Sequence, residues 1–376
     1  MNLALKDILH APARFLVTIA GVAFLITAAV GMIGLYRGIV SDALLIVDVV
    51  GADLWVVQGG RAGPFSERSS VPMTLERRVA GVAGVATTRR FMQTSEQFTA
   101  RGASRRAAVT GVDLSADDGR WIPLVRGRMI RKGHYEAVVD RAVGIGLGET
   151  IHLAGDDYAV VGITRDMVDI SGDGMMFVSI NDAMTIAVDR VAAEVRLARR
   201  AGEADPDLKV AAVLTTLQPG ADSATVAAAI AEWGDVNVLT AAEQRELLLG
   251  QRLWRLRVQI LAFTSVLLVV TAIVVSLIVY TMTLEKLHTI AMLKLMGARG
   301  RLIAVMIGEQ AALIGLLGFA LGLALAHVIF PLFPRRVLIE PGDNAMLFGV
   351  VAVIVFASAL VGVRRANRVR AQEVLA

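Results

Sequence analysis

Residues 258–301 read VQILAFTSVLLVVTAIVVSLIVYTMTLEKLHTIAMLKLMGARGR. The character of the chain changes twice within this stretch. From Val258 to Met282 there is no charged residue, and a helix of that length crosses the ~30 Å hydrocarbon core of a bilayer. From Leu284 to Ala298 charges return, at Glu285, Lys286 and Lys294. From Leu302 to Phe330 the chain is apolar again, interrupted by Glu309, Gln310 and His327. The predicted order is a membrane helix, a short connector and a second membrane helix.

Two more apolar runs lie outside this stretch, at Phe15–Tyr36 and Ala345–Val363. Hydrophobic residues make up 55% of the 376 and charged residues 19%, too apolar for an ordinary soluble protein. The segment from about Ser41 to Arg255 differs, with charges, turns and alternating apolar positions. The predicted fold is a membrane protein with four transmembrane α-helices and a large α+β extracytoplasmic domain between helices 1 and 2. Its parts are residues 1–50 (an interfacial helix, the first span and a stalk), 51–239 (the outer domain) and 240–376 (a stalk, three spans, the connector and a tail).

Basic flanks set the expected orientation. Lys6 and Arg14 precede the first span, Lys286, Lys294, Arg299 and Arg301 lie between the second and third, and Arg364, Arg365, Arg368 and Arg370 follow the fourth. The loop between the third and fourth is balanced, with Arg335 and Arg336 against Glu340 and Asp343. The positive-inside rule places both termini and the 283–301 loop in the cytoplasm. The first run is long for a signal peptide and no A-x-A site follows it, so it reads as a retained anchor. The net charge of +4 comes with basic residues flanking membrane segments, which speaks for topology and not for nucleic acid.

In the outer domain, a strand at Asp53–Gln58, a helix near Thr74–Val79 and strands around Arg90–Thr99 and Arg106–Val112 form a first β-α-β module. A strand at Lys209–Leu217, a helix at Ser223–Trp233 and a strand at Asp235–Leu239 form a second. Short strands between them fall at Glu136–Val139, Thr150–Leu153, Tyr158–Ile163 and Met175–Ser179. Thr240 and Glu243 have capping-box spacing. With no proline through Met282, one helix over 240–282 would be ~64 Å long, about half of it beyond the bilayer. A break at Gly250 is the alternative. The first span likewise continues past Tyr36 towards Val50 without proline, with a break at Gly38 as the alternative. Residues 3–11 fit either a short interfacial helix or an ordinary charged flank.

Several chemistries are excluded. There are no cysteines, so no disulfide or thiolate site. None of the five lysines precedes Ser or Thr, so no Walker A loop can bind a nucleotide here. H-E-x-x-H and G-x-S-x-G are absent, and the five histidines are scattered. Asp169-Ile-Ser-Gly-Asp173-Gly174 imitates the start of a calcium loop, but Ile180 stands where the bidentate acid belongs. Glu309 reads either as part of a coupling or proton site, or as a carboxylate hydrogen-bonded to a neighbouring helix or snorkelling to the interface. His327 is expected at the interface. Gly315, Gly318 and Gly322 would let helices approach closely.

The connector itself is an amphipathic helix ending at Gly297. Leu287, Ile290, Ala291 and Lys294 share a face, and such a helix either lies on the membrane or docks into a partner. At Leu293-Lys-Leu-Met-Gly-Ala298, followed by Gly308, Glu309, Gly315, Gly318 and Gly322, the sequence resembles the FtsX/MacB-like permeases of ABC transporters. Ala4-Leu-Lys6, Arg14–Gly21, Arg368–Leu375, Gly146–Thr150 and Tyr158–Ile163 are similar to other parts of that family. Asp53–Gln58 and the modest outer domain resemble its DevC-like branch. Thr289 and Ala371 depart from it, where Glu and Pro are common.

The resemblance implies a MacB-like outer domain and a dimer of this chain working with two separate ABC ATPase subunits. No cofactor is expected on this chain, and ATP and Mg would sit on the partner. It makes residues 284–297 the coupling helix, with Glu285, Lys286, Leu287, Ile290, Ala291, Lys294 and Gly297 as contact residues. It implies a multi-pass protein of the bacterial inner membrane, not itself an enzyme, driving export or efflux, with a periplasmic adaptor as a further partner. An FtsX-like mechanical regulator of an envelope protein and a permease extracting lipoprotein or lipid stay open.

Overall fold

The computed structural model describes residues 12–100, 102–189, 209–296, 300–333 and 335–368. The expected interfacial helix at 3–11, Gly297 and the basic tail beyond Arg368 lie outside these residues. Two compact units emerge: residues 1–38 with 256–376, and residues 39–255.

Four helices, lying mostly in the first unit, are long and apolar enough to cross a membrane. They are α1 (Pro12–Val50), α6 (Trp254–Glu285), α8 (Gly300–Ile329) and α9 (Pro341–Arg368), with α7 (Leu287–Leu295) between α6 and α8. Their shared core holds Val22, Ile26, Val275, Val279, Ile307, Ile314 and Val351. Small residues let the helices close. A methyl on Gly318 would sit 2.7 Å from Val22, and one on Gly322 would sit 2.8 Å from the Ala23 carbonyl oxygen. Gly315 abuts Val355. The Thr27 hydroxyl bridges the same seam, 2.8 Å from its own Ala23 carbonyl and 2.9 Å from that of Gly322. Such close approach stabilises helices where lipid offers no hydrophobic drive.

A second glycine row escaped the sequence reading. Gly31, Gly34 and Gly38 lie three and four residues apart on one face of α1. Phe330 lies over Gly31, Val337 over Gly34 and the Arg336 carbonyl over Gly38. The Leu338 N–H donates to the Gly34 carbonyl at 3.0 Å. Arg37 completes the contact. Its Nε and Nη2 (2.7 Å) hold Asp343, and its Nη1 lies 2.9 Å from Glu340.

The second unit contains two main sheets. Strands β1 (Leu54–Gln58), β3 (Val85–Phe91), β12 (Ala212–Leu217) and β13 (Val236–Thr240) form a four-stranded antiparallel sheet in the order β13-β1-β12-β3. Helix α2 (Leu75–Ala80) links β1 to β3 in sequence, and α4 (Ser223–Ala231) links β12 to β13. Strand β1 thus lies between both strands of the second module, whereas the strands expected to complete the first module, around Arg90–Thr99 and Arg106–Val112, fall mainly in the other sheet as β4 and β5. Asp222 caps α4, accepting from the Ala224 and Thr225 N–H groups. Trp55, Phe65 and Phe91 pack edge-on, with centroids 5.2 to 5.7 Å apart.

The inserted segment forms a seven-stranded mixed sheet. It uses β4 (Gln93–Ala100), β5 (Ala103–Val112), β6 (Leu124–Gly127), β7 (Glu136–Asp140), β8 (Thr150–Leu153), β9 (Asp156–Thr164) and β10 (Met175–Ser179). The order is β4-β5-β10-β7-β9-β6, with β8 also on β9. Helix α3 (Ile180–Asp189) follows β10, and a small pair, β2 (Val71–Pro72) with β11 (Lys209–Val210), stands apart. Strands β3 and β6 and helix α3 were not anticipated as separate elements. The Asp169 loop is closed by its own backbone, since Asp169 Oδ1 accepts from the Ser171 and Asp173 N–H groups, each at 2.9 Å.

The uninterrupted helix expected over 240–282 is not what forms. The Thr240 capping box is present, but helix α5 (Ala241–Leu247) passes into a π-helical turn at Leu248–Arg252. The Leu253 N–H reaches back to the Leu248 carbonyl at 2.9 Å, one residue further than in an α-helix. Leu248 is buried beside Ile46, Val47 and Val50 in the core that holds Trp55 and Phe91. The segments read as solvent-borne stalks, 39–50 and 241–252, thus pack on the sheet unit, contributing Ile46, Val47, Val50 and Leu248 to its core.

Ion pairs fix the sheets. Arg90 holds Asp113 through Nε (2.7 Å) and Nη2 (2.8 Å), and Ser115 also donates to it. Burial pushes the Asp113 carboxyl up, but these bonds outweigh it and hold it below the usual range. At β7, Glu136 accepts from Arg128 (2.6 and 3.0 Å) and from the N–H groups of Arg131 and Lys132. The Arg128 bonds, opposed by burial, bring its carboxyl down to about 2. A depressed carboxyl stabilises the fold above its unfolded-state value, and that contribution is lost as pH falls through the folded one. Stability at β7 should therefore fall as the pH drops from about 4.5 to about 2. Hydrogen exchange at β7 in the intact chain checks this. Arg128→Ala should flatten that acid limb, and an unchanged limb would refute the assignment.

Candidate functional site

The connector is built by an abrupt stop. Helix α6 ends at Glu285, and Lys286 forms the turn, its N–H bonded to the Thr283 carbonyl at 3.2 Å. Thr283 is buried, its hydroxyl bonded to the Val279 carbonyl at 2.7 Å. The Ile290 N–H then takes the Lys286 carbonyl at 2.8 Å, and α7 begins at Leu287. Glu285 and Lys286 therefore belong to the end of the span and to the turn, not to the connector helix. Lys286 is half-buried, and burial pushes its ammonium below the ordinary lysine value.

The faces of α7 differ from the expectation. Ile290 and Ala291 are each only 1% exposed and pack into the core of the membrane helices, with Ile303 and Ile307. Leu287 is half-buried, and Lys294 falls in the last turn. Outward stand His288, Thr289, Met292, Leu295 and Met296, the last three 46%, 58% and 74% exposed. Two of the residues expected to meet a partner are anchors, and the free apolar edge is made of Met292, Leu295 and Met296. Periodicity alone shows that two faces exist. It cannot show which one the neighbouring helices cover, and here they cover Ile290 and Ala291.

Glu309 is exposed on α8, at the side of an apolar groove of about 580 Å³ between α8 and α9 that includes Phe348, Val355 and Phe356. The His327 ring lies 2.8 Å from the Leu323 carbonyl of its own helix, Nδ1–H donating. The glycines at 315, 318 and 322 serve contacts with α9 and α1.

Comparison with known proteins agrees with this architecture. The model for the MacB-like periplasmic core domain matches residues 15–233, and that for the FtsX-like permease C-terminal region matches residues 261–370. A protein of Mycobacterium tuberculosis (strain ATCC 25618 / H37Rv) described as an ABC transporter permease is 24% identical over 364 residues, 96% of this chain and 95% of its own. One of Mycobacterium bovis (strain ATCC BAA-935 / AF2122/97), described in the same words, is 22% identical over 365 residues, with the same coverage. Among solved structures, the periplasmic region of MacB from Actinobacillus actinomycetemcomitans aligns with a TM-score of 0.38 and 9% identity, over 53% of this chain and 92% of that one. With four candidate membrane helices and an inserted sheet domain of the matching kind, the chain belongs to the FtsX/MacB-like family of ABC transporter permeases.

Proposed function

We propose that this chain is the non-catalytic subunit of an export or efflux system, in which a separate ATPase drives movement of the helices and, through them, of the sheet domain. The connector α7 is the ATPase-coupling element, lying in the cytoplasm with both termini, and the sheet domain lies outside the inner membrane. The complex contains two copies of the chain and two ATPase subunits, which carry the ATP and Mg. A periplasmic adaptor is a further partner in this reading.

The observation that carries it is the construction of α7. A helix docked by Ile290 and Ala291 cannot shift without its neighbours, because packed cores transmit strain. Its outer edge offers three flexible apolar side chains, Met292, Leu295 and Met296, suited to a partner's groove. Helix α1 runs unbroken from Pro12 to Val50, and its last turns add Ile46, Val47 and Val50 to the core that holds Trp55.

The chain has no cysteine, so single labels can be placed without background. With labels at Ala224→Cys and Gly342→Cys, both exposed positions, the distance distribution in the reconstituted complex should change between nucleotide-free and ATP-bound states. An identical distribution in both states would sink the coupling reading.

A further inference from the structure

In the sheet unit, several arginines are spent on internal ion pairs. Arg61, Arg78, Arg89, Arg90, Arg106, Arg120 and Arg128 each lie within 4.0 Å of a carboxylate. Arg126, Arg141 and Arg165 do not, among the described residues, and these three line one open groove of about 480 Å³. The groove lies where the end of β6, the turn after β7 and the end of β9 meet. Its floor is apolar, with Ile145 and Ile163 buried. Its walls carry Val125 and Leu147, 46% and 45% exposed. From Gly51 to Thr240 the exposed large apolar side chains among the described residues are Met73, Tyr135 and these two. Three arginines without an ion pair among the described residues thus coincide with two of the few exposed large apolar side chains of this domain.

The nearest acid in sequence to Arg141 does not neutralise it. Asp140 is buried and accepts from the Ala142 N–H, the Thr164 hydroxyl and the Met167 N–H, at 2.9, 3.0 and 2.9 Å. Asp166 follows Arg165 but lies outside the lining. The groove therefore presents three guanidinium groups around an apolar strip. Arginine matches carboxylates through its planar fork, and the strip needs an apolar side chain beside them. An enclosed cavity would suit a small molecule. An open groove beside β6, at the edge of its sheet, suits a chain segment.

We infer that this groove docks an acidic segment of a partner protein, one in which carboxylates alternate with aliphatic side chains. This goes beyond the coupling reading, since it concerns the sheet domain alone and requires no nucleotide. The probe is a short fluorescent peptide alternating glutamate and valine, titrated against the full chain in nanodiscs of uncharged lipid. Binding should saturate and weaken with added salt. It should fall about tenfold in the Arg126→Ala/Arg165→Ala double variant, and by a similar factor when glutamine replaces glutamate in the peptide. Val125→Ser should weaken it as well. All three substituted side chains are exposed, so the fold is expected to survive, and unchanged melting confirms that. Equal binding by the double variant would overturn the proposal. So would equal binding of a glutamate–glycine peptide, which would mark a merely basic surface. Competition by anionic vesicles at the same arginines, with no peptide saturation, would assign the groove to lipid and overturn it too. Loss of nucleotide-driven movement in the earlier experiment would leave this result untouched, so the two readings fail separately.

Discussion

Leu295→Asp combined with Met296→Asp is expected to abolish association with the ATPase subunit while leaving the membrane helices folded. Both side chains are exposed at the outer end of α7, 58% and 74%, and neither belongs to the buried core. Burying two such side chains at an interface is worth about 1.5 to 3 kcal/mol each, so the loss amounts to a hundredfold or more in affinity. Placing a carboxylate in each apolar contact adds a desolvation penalty. Co-purification from cells expressing both subunits measures the association, and thermal melting in detergent checks the fold. Retained association with unchanged melting would remove α7 from the interface. The comparison with Ile290→Asp is instructive. Ile290 is buried among the membrane helices, so that change would put an unpaired charge in the core and lower the melting temperature first. Loss of the partner there would say nothing about the interface.

The second large effect concerns the seam between α1 and the segment that leads into α9. Gly38→Ala should destabilise the membrane unit by about 1 to 3 kcal/mol, the usual cost of overpacking. The added methyl overlaps the Arg336 carbonyl, which is backbone and cannot rotate away. Moving that strand of chain would also strain the Leu338–Gly34 hydrogen bond and the Arg37 fork on Asp343 and Glu340. Gly21→Ala is the matched control. It lies in the same helix, nothing stands within 4 Å of the added methyl, and alanine is the better helix former by about 1 kcal/mol. The two substitutions should therefore move the melting temperature in opposite directions. A Gly38→Ala protein as stable as the parent would show that the seam yields freely, and the Arg37 contact could then not serve as a rigid link. Arg37 is itself 39% exposed, so its ion pairs contribute direction more than stability.

The difference between these glycines explains how much could be read in advance. Gly318 and Gly322 sit four apart in an apolar run, so their close approach was legible as a spacing, though not the identity of the neighbour, α1. Gly31, Gly34 and Gly38 have comparable spacing, but what covers them is an irregular segment some three hundred residues away in sequence, and no local pattern announces that. The strands were mostly legible because alternation and glycine turns are local. Their order was not, because pairing β1 with both β12 and β13 closes loops of over 150 residues.

The sequence by itself determined the four membrane helices, the sheet domain inserted after the first, the absence of a nucleotide loop, and the existence of a short amphipathic connector. Each depends on composition or on periodicity within one segment, where hydrophobic burial and helical or strand geometry act locally. Only the tertiary structure decided which edge of α7 is free, and that the expected stalks contribute Ile46, Val47, Val50 and Leu248 to the sheet core, with a π turn at Leu248–Arg252. It also decided that Arg126, Arg141 and Arg165 meet around one groove. Those outcomes depend on which distant neighbour buries a given face, and burial by a distant neighbour leaves no mark on the local pattern.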